Sequence, residues 1–271
     1  MKFQKIILAL ASLSLIAGLR ACGGKENGEV KVNQKEDLVV FAAASMTDVL
    51  EEIKISYEKE NPEINLLYNF DSSGTLKSQI IEGAECDVFI SAAQKQMNEL
   101  DPSNEAYKGS VSIEKDSRRD LLENKVTLVV GEGNKNKISK FEDIVSGKVK
   151  SLAIGNEDVP VGQYSLEILN NLGIYEDIKD KLSLGSNVRE VTSWVDEGLV
   201  DAGIIYATDA KIFDLEVVDE ADDSILDNKI IYPGGLLADS KKKDQGQKFL
   251  DFLQGEKSSE ILKKFGFSPL S

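Results

Sequence analysis

The chain has 271 residues, 41% hydrophobic and 29% charged, which is enough for one large or two modest cores. Its 47 acidic residues against 32 basic ones leave a formal charge of −15, which argues against nucleic acid as a partner and repels small anions at long range. Histidine is absent, so Ser-His-Asp and Cys-His nucleophiles and His-ligated zinc sites are excluded.

The first stretch reads as an export signal. Lys2 and Lys5 precede an almost uncharged run from Ile6 to Leu19, too short for a typical membrane span, and then Arg20-Ala21-Cys22-Gly23-Gly24. Residues 1–21 therefore look like a bacterial lipoprotein signal, with Cys22 as the residue that carries the lipid. Residues 22–36 are polar and lack apolar periodicity, so they read as a flexible tether that holds the folded part off a membrane surface. Once Cys22 is acylated only Cys86 remains, and a single cysteine forms no internal disulfide.

Beyond the tether, strand and helix signals alternate. Leu38–Ala43 reads as a strand, Met46–Glu60 as a helix stopped near Asn61-Pro62, Ile64–Phe70 as a strand, Thr75–Glu82 as a helix ended by Gly83, and Asp87–Ala92 as a strand. Residues 101–124 are polar and read as a connection into the strand Val126–Val130. A second series follows: strand Ser151–Ile154, helix Val161–Leu172, a short helical stretch at 175–181, helix Asn187–Glu197 and strand Ala202–Tyr206. A helix from Thr208, a polar loop at 219–228, a strand at 229–238 and helices at 243–253 and 258–265 complete the chain. The fold class expected is α/β with two lobes, each a mixed, mostly parallel sheet flanked by helices, joined by a two-strand hinge. Residues 37–122 and 232–271 are assigned to the first lobe and 123–231 to the second, with a ligand in the cleft between them.

Five strand-to-helix turns or helix starts could place donors in that cleft. Ser45 follows three alanines and sits where a helix N-cap belongs, with Asp48 three positions on. Asp71-Ser72-Ser73-Gly74-Thr75 offers hydroxyls beside first-turn N–H groups. Pro160-Val161 and Asn187-Val188-Arg189 open two more helices, and Tyr206 ends a strand with a phenol that needs a partner. Hydroxyls and backbone amides without a charge suit a small, fully ionised oxyanion, while Asp48, Asp71 and Asp209 leave a protonated one open. Ser56-Tyr57-Glu58-Lys59 fits an S-x-x-K spacing, but its companion motifs are missing and chance accounts for it.

Ala42-Ala43-Ala44-Ser45-Met46-Thr47-Asp48, Phe70-Asp71-Ser72-Ser73-Gly74, the stretch 84–92, Val159-Pro160-Val161-Gly162-Gln163-Tyr164, Asn187-Val188-Arg189 and Tyr206-Ala207-Thr208-Asp209-Ala210 together carry a resemblance. In order, from about Leu38 to Phe267, the chain resembles the periplasmic molybdate-binding protein family, the solute receptors of molybdate ABC importers. The resemblance implies a periplasmic-binding-protein fold of type II and an oxyanion held by two serines, two backbone amides and a tyrosine. Carried over, these are Ser45, Ser73, the N–H groups of Val161 and Val188, and Tyr206. It implies molybdate or tungstate as ligand, molybdenum not ligated directly by the protein, and no cofactor and no catalysis. It further implies a membrane permease as partner and a monomer anchored outside the cytoplasm by its lipid. Three alternatives stay open: sulfate or another tetrahedral oxyanion in the same fold, an amino-acid receptor using Arg189 with Asp209, and a hydrolase using a serine of the Ser72-Ser73-Gly74 turn.

Overall fold

The computed structural model describes residues 35–109 and 111–270. The signal, Cys22 and nearly all of the tether read from the sequence lie outside the described residues.

Two sheets organise the molecule. The first has the order β11-β4-β10-β3-β1-β2 and contains β1 (Glu36–Ala43), β2 (Ile64–Asp71), β3 (Val88–Ile90), β4 (Arg119–Asn124), β10 (Ile230–Leu236) and β11 (Ser268–Pro269). The second has the order β7-β6-β8-β5-β9 and contains β5 (Val126–Val130), β6 (Leu152–Gly155), β7 (Leu182–Gly185), β8 (Ala202–Tyr206) and β9 (Glu216–Glu220). Both are mixed. β1 pairs in parallel with β2 and β3, and β6 in parallel with β7 and β8, as expected of strands linked by helical crossovers. β10 joins β3 and β4 antiparallel, and β5 joins β8 and β9 antiparallel. The chain passes from the first sheet to the second at Lys125 and returns through residues 221–229.

The central strands of the second sheet are the buried ones. β6, β8 and β5 are covered along their whole length, so they appear in the sequence as continuous apolar runs rather than alternating ones. Helices α1 (Thr47–Glu60), α2 (Ser73–Ile81), α3 (Gln94–Asn98), α8 (Lys243–Leu253) and α9 (Glu256–Phe265) pack on the first sheet or on one another. Helices α4 (Pro160–Asn171), α6 (Val188–Asp196) and α7 (Ala207–Ile212) cover the second, with the short α5 (Tyr175–Ile178) after α4. Among the described residues no helix is long and apolar enough to cross a membrane.

Three sequence expectations change. Residues 101–124 are not connection throughout, because 119–124 form β4; its polar Arg119, Asp120 and Glu123 keep some exposure while Leu121 and Leu122 are buried. The polar loop read at 219–228 begins two residues too early, since 216–220 form β9, a strand with no buried residue that the sequence reading does not anticipate. Ser45 is not a helix N-cap: it lies in a 3₁₀ turn, Ala44–Met46, leading into α1, and neither helix start has a side-chain cap. Its hydroxyl is engaged elsewhere, as described below.

Candidate functional site

The turns that close β1, β2, β6, β7 and β8 all face one point between the sheets. There Ala43, Ala44, Ser45, Asp71, Ser72, Ser73, Ala92, Val159, Pro160, Val161, Val188 and Tyr206 line a cavity of about 10 Å³. By volume this is on the scale of one water-sized sphere, a tight space for a small solute. All five residues proposed from the sequence, Ser45, Ser73, Val161, Val188 and Tyr206, are among its walls.

Each wall has a local cause. Ser72 caps α2 by accepting the Thr75 N–H at 3.1 Å, which leaves Ser73 in the first turn with its side chain directed inward. Pro160 begins α4, where its missing N–H costs nothing, and Val161 follows with a first-turn amide. Asn187 caps α6 by accepting the Glu190 N–H at 3.1 Å, so the Val188 amide also lies in a first turn. Three helix N-termini, of α2, α4 and α6, thus end on the cavity with partial positive charge. Among the described residues that line it, none is basic.

Gly74 allows the two lobes to meet. A Cβ built there would fall 2.2 Å from the Asp158 carbonyl oxygen, so only glycine lets the start of α2 approach the loop before α4 this closely. A second link runs from Asn187 Nδ2 to Asp71 Oδ1 at 3.5 Å. That same Asp71 oxygen accepts the Ser72 N–H at 2.7 Å.

The hydroxyls differ in their partners. Ser45 Oγ lies 3.0 Å from the Tyr232 hydroxyl, and Ser73 Oγ accepts the Ala92 N–H at 2.9 Å. Tyr206 OH makes no well-aligned hydrogen bond although the residue is 1% exposed and its ring lies edge-on to Tyr232, and burial pushes its phenol well above the usual value. A buried O–H that stays protonated and unpaired is a donor in want of an acceptor. Wider grooves lie elsewhere, the largest about 760 Å³ beside Gln94, Gln163 and Lys229, but no residue lining it carries an unpartnered buried side-chain atom.

Arg189 does not reach this cavity's wall. Its guanidinium donates to Asp48, its Nε donates to the Ala44 carbonyl at 3.3 Å and lies 3.0 Å from Asp209 Oδ1, and Phe213 stacks beneath it. With those partners it is not free to bind the head group of an amino acid. Sequence reasoning missed Tyr232 and Asn124, whose amide donates to Tyr232; they lie 187 and 79 positions from Ser45 and no local motif joins them to it.

Comparison with known proteins bears on the family and the fold. Residues 38–268 match the family described as bacterial extracellular solute-binding protein. The chain is 35% identical over 269 residues to the "Putative ABC transporter substrate-binding lipoprotein YvgL" of Bacillus subtilis, with 98% of each chain covered. It is 32% identical over 271 residues to the molybdate-binding protein ModA of Haemophilus influenzae, again with 98% of each covered. The solved periplasmic molybdate-binding protein of Azotobacter vinelandii superposes with a TM-score of 0.74 at 19% identity, covering 86% of this chain and 100% of that one, a likeness of fold. The chain therefore belongs to the family of bacterial extracellular solute-binding proteins, with a two-lobed α/β fold.

Proposed function

We propose that the protein captures a tetrahedral dianionic oxyanion, molybdate or tungstate, in the cleft between its lobes and delivers it to the membrane permease of an ABC importer. The observation that carries this reading is the buried, unpartnered hydroxyl of Tyr206, which shares one small cavity with Ser45, Ser73 and the amides of Val161 and Val188. Every candidate group is a neutral donor. Hydrogen bonds to a charged acceptor are about twice as strong as neutral ones, so a few of them offset the desolvation of a dianion once water is excluded.

The net charge of −15 fits a site that holds its ligand by short-range donors rather than drawing it in by long-range attraction. Closure joins the donors of both lobes, and the permease then recognises the closed form, since only differential affinity for one state shifts the population. Lipidation at Cys22 would keep the receptor, as a monomer, at the outer membrane surface facing that permease. One relative named a putative ABC transporter substrate-binding lipoprotein and another named a molybdate-binding protein support this part of the reading.

Calorimetric titration of molybdate tests the site. Ser45→Ala, Ser73→Ala and Tyr206→Phe should each weaken binding by about 1–3 kcal/mol, the loss expected for a hydrogen bond to a charged group. Wild-type affinity in all three variants would place the ligand in another cleft.

A further inference from the structure

Asn124 ends β4, one residue before the chain crosses between the sheets. Its amide is oriented by its neighbours. Oδ1 accepts the Lys125 N–H at 2.8 Å, so Nδ2 is the atom that faces Thr208 Oγ1 at 2.9 Å and the Tyr232 oxygen at 3.1 Å. An amide nitrogen only donates. The Tyr232 oxygen is therefore an acceptor toward Asn124, and the phenol's own hydrogen needs a partner. Tyr232 is fully buried, where an unpaired hydroxyl hydrogen is costly, and the other well-aligned hydrogen bond of its oxygen among the described residues is with Ser45 Oγ at 3.0 Å, while Tyr206 packs edge-on to its ring without one. Once Ser45 Oγ accepts from Tyr232, its own hydrogen is left for the cavity.

We infer that Asn124 and Tyr232 are positioning residues for the oxyanion site: through the relay Asn124 to Tyr232 to Ser45 they make the serine a one-way donor into the cleft. This rests on the reading that the cavity takes an oxyanion. Ser73 reaches the same condition through a backbone donor, the Ala92 N–H, which no side-chain substitution reverses. Ser45 depends instead on side chains from β4 and β10, the strands that flank the two crossings between the sheets, and Asn124 ties them to Thr208 at the start of α7. The donor state of Ser45 is thus coupled to the packing of the hinge.

The relay is tested by a double-mutant cycle read as the dissociation constant for molybdate, by calorimetry on the purified protein. Asn124→Asp is nearly isosteric and keeps the bond from the Lys125 N–H, but its carboxylate only accepts. Tyr232 then turns its hydrogen toward position 124, and Ser45 donates to Tyr232 instead of to the cavity. Tyr232→Phe removes the relay altogether without adding charge. Each substitution should weaken molybdate binding about tenfold when Ser45 is present and by less than about twofold in the Ser45→Ala background, because the loss acts through that hydroxyl. Added charge or a loosened core would weaken binding in either background, so equal losses in both overturn the relay, as does unchanged affinity in Tyr232→Phe. Where Asn124→Asp fails to fold, Tyr232→Phe with Ser45→Ala decides the matter. A wild-type protein with no affinity for molybdate overturns the reading of the site and the relay with it; wild-type binding with additive losses overturns the relay alone.

Discussion

Arg189 Nε stands 3.0 Å from Oδ1 of Asp209, a carboxylate with no exposed surface. The same guanidinium crosses the cleft to Asp48 and the Ala44 carbonyl, so one side chain of α6 joins both lobes beside the cavity. Neither carboxylate oxygen of Asp209 has a well-aligned hydrogen bond. Burial raises its pKa to about 7, with Arg189 opposing the rise and Asp48 adding to it.

A pH dependence of stability follows from that shift. Because the folded state holds the Asp209 proton more tightly than the unfolded chain, the group's contribution is fully present below about pH 4. It declines as pH rises through about 7, by up to ~1.4 kcal/mol per pH unit. Urea unfolding of the wild type and Asp209→Asn between pH 4 and 8 should show the wild type losing stability relative to the variant across this window, then levelling. A constant difference over the whole range would mean that Asp209 ionises normally.

Removing Arg189 leaves Asp209 buried without its cation and severs the link to Asp48. Arg189→Gln should lower stability by about 2–4 kcal/mol near neutral pH, somewhat less than the ~3–5 kcal/mol of a fully buried pair because Arg189 keeps some exposure. The loss should shrink toward pH 5, where Asp209 is protonated. An unaltered melting temperature at pH 7.5 would show that the pair contributes nothing to the fold.

Gly74→Ala separates closure from folding. Its Cβ would press on the Asp158 carbonyl of the opposing lobe, a clash absent when the lobes part. Molybdate binding should weaken at least about tenfold, since closure excludes the water that competes with neutral donors. Unliganded stability should stay within about 1 kcal/mol of wild type. Binding as tight as wild type would mean that the lobes need not approach this closely.

Much of this architecture was legible from sequence because the buried strands announce themselves. Val126–Val130 and Ala202–Tyr206 are covered on both faces and read as apolar runs broken only by Thr127. The edge strands β7 and β9 do not, since they carry little buried surface, and neither does β4, whose two adjacent leucines are flanked by charges and show no strand alternation. Ser45, Ser73, Val161, Val188 and Tyr206, five of the residues lining the cavity, were legible because each lies at a strand-to-helix turn or helix start within a motif that carries the family resemblance. Asn124, Tyr232 and the partners of Arg189 were not, because their roles exist only once distant strands pair and the lobes meet. Ser45 shows the limit most plainly. Its place at a helix start suggested a cap, yet tertiary structure gives its oxygen to Tyr232 instead.

The most direct test of the central claim is a thermal-melt series on the purified protein with molybdate, tungstate, sulfate and phosphate at equal concentration. A ligand bound only by the folded state adds RT ln(1 + [L]/Kd), roughly 4 kcal/mol at a thousand times Kd. The account predicts a large upward shift with molybdate and tungstate and little with the other two. A shift with sulfate or phosphate alone, or with none of the four, would contradict it.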